Sequence, residues 1–306
     1  MWFFPAIIGY GLLSLAAVAD KFVLSKVKLH PASFSWVVTS LSGLAGLALL
    51  IFHGSFIFPF NAVWQIVFAG LASYLGCLSM FYAVKEGEVS KVSTLIASAI
   101  PLWILLISII GGIEKLKFVE ALGGFLVVVA GYGLSQTGRA KTRINKKTIA
   151  LVVISSLAYG FYHSLAKASY NLGEFLPTLA WISLANFFAG LVFTTIFFGP
   201  KKIIEGFLKR KNNEASSSGK FGKTAIIIGQ VAGGSSSLFL QWAVSLGSVF
   251  VVNALQGIQY IFVLGLTSVL TRWRPDILKE DNHGGVLWKK ILWSLLLASG
   301  VFLIVF

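Results

Sequence analysis

Charge is scarce in this sequence. Only 12% of its 306 residues are Asp, Glu, Lys or Arg, against 57% hydrophobic residues and a mean hydropathy of +0.85. Soluble domains carry about 25% charged and roughly 45–50% apolar residues. The composition therefore excludes an ordinary water-soluble domain and points to an integral membrane protein. Acidic residues are rarer still, 11 against 25 basic ones, for a formal net charge of +14. In a soluble protein that excess would suggest nucleic acid or another acidic partner. Here the bases sit in short loops beside apolar runs, where membrane orientation accounts for them, and nucleic acid is not an expected partner. Cysteine is limited to Cys77. Neither an internal disulfide nor a CxxC site can form, and its place in an apolar run suits packing.

Catalytic signatures are also missing. The four histidines, His30, His53, His163 and His283, show no HExxH or paired metal-ligand spacing, and the chain has no Walker lysine loop and no GxSxG elbow. No metal, cofactor or ATP-driven step is expected, and the chain is not read as an enzyme. A membrane enzyme acting on lipid carriers would need acids or histidines clustered at the interface.

What the sequence does have is long hydrophobic runs. A helical span needs about 20 mainly apolar residues. Ten such runs occur, at approximately 2–24, 33–52, 61–84, 90–112, 118–136, 148–168, 176–199, 224–246, 248–271 and 287–306. The expected fold is an all-α integral membrane protein of ten transmembrane helices. Ala17, Val18 and Ala19 before Asp20 look like a signal-peptide cleavage site. No basic residue precedes that run, however, and residues 14–26 have a counterpart at 155–167, with Ser14, Ala17 and Lys26 matched by Ser155, Ala158 and Lys167. The first run is therefore read as a retained span.

The repetition extends further. Residues 83–95, AVKEGEVSKVSTL, return as 243–255, AVSLGSVFVVNAL. The chain reads as one five-helix unit written twice, over 1–137 and 148–306, with the basic linker GRAKTRINKK at 138–147 between them. Because each unit holds an odd number of spans, the two must insert upside down relative to each other. The segment 200–223, with Lys209, Arg210 and Lys211 followed by SSSGK, reads as a flexible solvated loop. Taking alternate loops together, 22 of the 25 bases collect on one side, leaving Lys115, Lys117 and Lys167 on the other. The positive-inside rule makes the first side cytoplasmic, both termini external and the cell membrane the expected location.

Several stretches resemble the EamA family of the drug/metabolite transporter superfamily. They are GEVSKVSTLIASAIPLW at 87–103, Glu114 before the fifth span, GGFLVVVAGYGL at 123–134 and, in the second unit, GSVFVVNALQGIQYIFVL at 247–264. The resemblance implies two inverted EamA-like five-helix repeats and a transport function. Two departures stand out. Ile261 occupies the place of Pro101 in the second copy, so any bend there falls to Gly257 or is absent. The loop charges also give termini outside, where family members commonly have them inside.

Ionisable residues inside a span cost about 2.5–3.5 kcal/mol on insertion scales and usually serve a pathway, a partner or a helix end. Asp20 and Lys21 are the outstanding pair. Adjacent residues point about 100° apart on a helix and cannot both face one partner. One reading makes Asp20 a proton or cation site and Lys21 a counter-charge for an anionic group. The other ends the span at Ala19 and leaves both in interfacial water. On the sixth span Tyr159, His163 and Lys167 recur every four residues as one stripe, with Tyr162 beside it. His163 could exchange a coupling proton or simply be hydrogen-bonded between helices, and Lys167 could be a helix-end anchor.

The ninth span offers Asn253, Gln256 and Tyr260 at spacings of three and four, and the matching fourth span carries Ser93, Thr94, Ser98 and Pro101. Amides and an aromatic ring suit a polar organic solute, although amides also serve as interhelical glue. The eighth span adds Gln241 and a Gly229–Gly233 GxxxG contact. The expected substrate-binding set is Asp20, Lys21, Ser98, Tyr159, His163, Gln241, Asn253, Gln256 and Tyr260. They would serve a secondary transporter, exporter or exchanger, that moves a small polar or amphipathic metabolite by alternating access. Its partners would be the lipid bilayer and a coupling proton or cation. The alternatives are a flippase for a lipid-linked sugar or phosphate, with Lys21 and Lys167 on the headgroup, and a non-transporting scaffold or receptor.

Overall fold

The computed structural model describes residues 1–26, 30–86, 89–113, 117–136, 145–199, 219–273 and 284–305. Among these residues the secondary structure is helical, with no strand. The segments are α1 (Phe3–Lys26), α2 (Pro31–His53), α3 (Val63–Glu86), α4 (Val89–Gly111), α5 (Phe118–Gln136), α6 (Lys146–Tyr170), α7 (Phe175–Phe198), α8 (Gly219–Leu246), α9 (Val249–Ala254), α10 (Gln256–Trp273) and α11 (Gly284–Val305). The short α9 and α10 divide one apolar run, so ten helices correspond to the ten runs. Glu114, Thr137, residues 138–144 of the linker and residues 200–218 of the long loop lie outside the described residues.

Local chemistry places the helix ends. Pro31 opens α2 at a position where its missing N–H costs nothing, and the His30 imidazole accepts from the Ala32 amide at 3.3 Å. Asn145 caps α6 by accepting from Thr148 N–H at 2.7 Å, and Ser248 caps α9 by accepting from Val251 N–H at 3.3 Å. Gly54 closes α2 in the left-handed conformation, φ 72°, which glycine adopts without steric penalty.

The packing is that of a protein in lipid. Large apolar side chains face outward, among them Phe4, Phe52, Phe60, Ile109, Phe118 and Phe197. Many interior positions hold small or hydroxylic residues: Ser33, Ser35, Thr39, Ser155, Ser164, Thr178 and Thr194 are fully or almost fully buried. Small residues let helices approach closely where no hydrophobic force drives them together. Gly70 lies against Ala185 and Asn186, and Gly190 against Thr39 and Tyr74, drawing α7 onto α3 and α2. Four helices are long and apolar enough to cross a membrane by length and composition, Pro31–His53, Phe60–Glu86, Lys146–Tyr170 and Phe175–Phe198, and shorter apolar helical stretches accompany them.

The pairing of helices has a pattern. α1 packs along α8, as α3 packs along α6. α4 also packs on α6, as α10 packs on α1, while α2 pairs with α7 and α5 with α11. Exchanging each of the first five helices with the one five runs later reproduces these pairings. Two polar contacts tie opposite ends of the bundle. Lys147 and Glu86 meet at 2.9 Å between the start of α6 and the end of α3. His53 and Glu174 meet at 3.5 Å between the end of α2 and the start of α7.

Candidate functional site

The ninth run breaks at Leu255, between α9 and α10, two residues before Gly257. Leu255 N–H still reaches back to the Val251 carbonyl at 3.2 Å, but Ile258 N–H bonds the Leu255 carbonyl at 2.8 Å, a tighter turn than the α-helix. In an unbroken helix the Val252 carbonyl would take the amide of Gln256. Here it accepts the buried hydroxyl of Tyr10 at 2.7 Å. One turn along α1, the Ser14 hydroxyl is placed to donate to the Tyr10 carbonyl at 2.7 Å or to the Gln259 carbonyl at 3.1 Å. The Asn253 amide donates to the Val249 carbonyl at 2.8 Å. Backbone groups exposed by a break must find partners away from water, and α1 supplies them.

Opposite the break stands the proline of α4. Ala97, Ser98 and Pro101 of α4 face Asn253, Ala254, Gln256 and Gly257 across a cavity of ≈ 10 Å³, completed by Val127, Val128 and Gly131 of α5. A space of about 10–15 Å³ holds one water molecule, so the helices are closed onto one another in this conformation. The lining is apolar apart from one hydroxyl and two amides. Pro101 has no N–H to give the Ala97 carbonyl, and both residues line the cavity. The Ser98 hydroxyl rests on its own helix, donating to the Leu95 carbonyl at 3.2 Å. Gly257 brings α10 close to its neighbours: a Cβ there would stand 2.9 Å from Leu297 and 3.1 Å from Val127.

Three of the sequence-expected residues, Ser98, Asn253 and Gln256, thus share one cavity. His163 and Gln241 are brought together elsewhere. The Gln241 amide nitrogen lies 3.2 Å from His163 Nδ1, and Tyr170 donates to Gln241 Oε1 at 3.1 Å. Tyr159 lies between α6 and α3, its ring against Gly76. Gly233 of the GxxxG pair lies on α1, near Ala16. The side chains of Asp20, Lys21, Thr94 and Tyr260 lie outside the described residues.

Lys167 does more than anchor its own helix. Its ammonium donates to the carbonyls of Val244 at 3.0 Å, Ser245 at 3.2 Å and Gly247 at 2.8 Å. A cation there meets the negative end of the α8 dipole as well as its last carbonyls. The turn that leads from α8 into α9 and the cavity is therefore held from α6. Sequence reading missed Tyr10, Ser14 and Tyr170 as partners. The first two sit four residues apart on one face of the first span, a spacing that marks a polar stripe but names no acceptor.

An all-helical chain with an apolar exterior, a hydroxyl-rich interior and spans of this length is a multi-pass membrane protein. Residues 4–136 match the model of the EamA-like transporter family, a family of the drug/metabolite transporter superfamily. No protein of curated function matches it in sequence. The fold is similar to that of a solved protein whose title reads only "Crystal structure of protein", with a TM-score of 0.64 and 16% identity over 98% of this chain and 96% of the other. At that identity the likeness speaks for the fold.

Proposed function

We propose that the chain is a secondary transporter, exporter or exchanger, that moves a small polar or amphipathic metabolite across the cell membrane by alternating access, with its ten helices forming two inverted five-helix repeats over 1–137 and 148–306. The exchange pattern of helix contacts supports the repeats. The substrate site is the cavity where the Pro101 helix meets the break at Leu255, and this juxtaposition carries the reading. Transporters of inverted-repeat design commonly bind substrate at interrupted helices between the repeats. Near the middle of α4 and α5, the cavity offers an apolar wall, the amides of Asn253 and Gln256, the Ser98 hydroxyl and the Ala97 carbonyl. Asp20, Lys21 and Tyr260 remain part of the proposed substrate-binding set, although their side chains lie outside the described residues. The basic loops face the cytoplasm and the termini lie outside. A lipid-linked anionic headgroup is less well served, because Lys167 spends its donors on backbone carbonyls.

The test is thermal stabilisation of the purified chain by a panel of water-soluble metabolites, followed by vesicle uptake of the solutes that bind, since a ligand of the folded state alone raises apparent stability. Gln256→Leu should abolish the stabilisation while the unliganded melting temperature stays near that of the parent. A shift that survives both Gln256→Leu and Asn253→Leu would move the site elsewhere.

A further inference from the structure

The contacts between α6 and α8 fit one protonation state of His163. Tyr170 donates to Gln241 Oε1, so the other end of that amide, its NH₂, faces His163 Nδ1. An amide nitrogen only donates, so Nδ1 must present a lone pair. With the amide in this orientation the contact is satisfied by a neutral His163 that carries its hydrogen on Nε2.

We infer that His163 is a proton-binding site whose loading is signalled through the Gln241 amide, and that it supplies the coupling step of the transport cycle; only this last clause rests on the transporter reading. The chemistry is a single protonation. A proton from solvent bonds to the Nδ1 lone pair, and imidazole becomes imidazolium. Nδ1 now donates, and the facing NH₂ group leaves two donors against each other. Rotating the Gln241 amide by half a turn brings Oε1 to Nδ1–H and withdraws it from Tyr170. The Tyr170 hydroxyl must then accept from the Gln241 amide nitrogen and turn its own hydrogen elsewhere. Tyr170 lies one turn from Lys167, which grips the carbonyls of Val244, Ser245 and Gly247. Proton binding is thus felt at the turn that leads into the broken helix.

The surroundings decide which conformation binds the proton. Among the described residues, α6 places Tyr159, Tyr162 and Tyr170 and the Lys167 ammonium near His163, with the Tyr162 ring centroid 4.7 Å away. On α3 the Tyr74 phenol and Cys77 thiol lie beside the earlier turns of α6, where Gly76 meets Tyr159 and Ser155, and the described side chains of α4, α7, α8 and α9 bear no ionisable group. Glu86 is tied to Lys147 at the far end of α6, and Glu174 contacts His53 beyond its other end. No carboxylate among the described residues faces the ring, and its nearest fixed charge is positive. The proton would add a second positive charge one turn from the Lys167 ammonium, so its binding shifts the population toward an arrangement in which α6 and α8 have moved apart.

The experiment needs no transported solute. The full chain is labelled with ¹⁵N-histidine, placed in lipid nanodiscs and titrated between about pH 4 and 9, the range in which a histidine side chain takes up its proton. His163→Gln assigns the His163 resonance. In parallel, spin labels at the exposed positions Leu172 and Leu246, in a Cys77→Ala background, report the separation of the ends of α6 and α8. The expected result is the Nε2–H tautomer at neutral pH. One protonation step should coincide with a shift of a few ångströms in the label distance, and His163→Gln should abolish that shift. Gln241→Leu removes the NH₂ donor and should yield mixed tautomers with no distance shift, a second variant in case His163→Gln folds poorly. An Nδ1–H tautomer at neutral pH, no protonation across the range, or a distance shift that persists in both variants would overturn the inference. A failed solute panel would remove the transporter reading and leave this site standing, whereas a failed titration would remove this site and leave the cavity.

Discussion

The helix that contains proline runs unbroken, and the helix at the matching place in the proposed second repeat breaks without one. α4 continues from Val89 to Gly111 through Pro101, while Ile261 replaces that proline and the chain divides at Leu255, between α9 and α10. A helix-breaking residue is therefore neither necessary nor sufficient here. α4 gives up one donor and keeps its course. Where the ninth run loses its regular bonding a partner outside it stands ready, the Tyr10 hydroxyl for the Val252 carbonyl, while Lys167 serves the carbonyls that close α8 just before it. In a bilayer each exposed backbone group needs such a partner, so the break belongs to α1 and α6 as much as to its own sequence.

The strongest way to break that comparison is to remove the cation. Lys167→Met deletes three charge-assisted donors and leaves the Val244, Ser245 and Gly247 carbonyls without them, at a cost of about 3 kcal/mol or more. Thermal unfolding in detergent should show the largest loss of any variant considered, while Lys167→Arg, which keeps charge and donors, should recover part of it. A Met variant as stable as the parent would mean that the α8–α9 turn holds itself.

Tyr10→Phe is the direct test of where the break comes from. It keeps the ring and removes the hydroxyl that serves Val252, with an expected loss of about 1–2 kcal/mol. Amide exchange should quicken at residues 255–259 and not in α4. Unchanged exchange would show that the sequence from Val249 onward breaks unaided, and the contrast between the two helices would then be local in origin.

Much of the architecture was legible because lipid imposes it. The runs expected at 90–112 and 118–136 are Val89–Gly111 and Phe118–Gln136, and that at 148–168 is Lys146–Tyr170. The opposed polar positions on the fourth and ninth runs also drew attention to Ser98, Asn253 and Gln256 before their shared cavity was known. The break was not legible. Val249 to Leu255 reads as apolar helix with one amide, and the decisive partner, Tyr10, lies 242 residues away. The same limit separated His163 from Gln241, which are 78 residues apart. Lys167 at a span end looked like an anchor because snorkelling and capping a neighbouring helix leave the same trace in sequence.

The smallest effect is expected from the proline itself, and its sign is the informative part. Proline inside a helix costs about 3 kcal/mol relative to alanine when the helix must accommodate it unaided. α4 is already helical around Pro101, so Pro101→Ala should recover only part of this, about 1 kcal/mol of added stability, by restoring an amide to the Ala97 carbonyl. That same bond takes the oxygen away from the cavity beside Asn253 and Gln256. A variant that melts higher yet is stabilised less by a bound solute would show that α4 carries its proline for the cavity. Lower stability would instead show that the pyrrolidine ring fills space its neighbours need, and the two halves would then differ in packing alone.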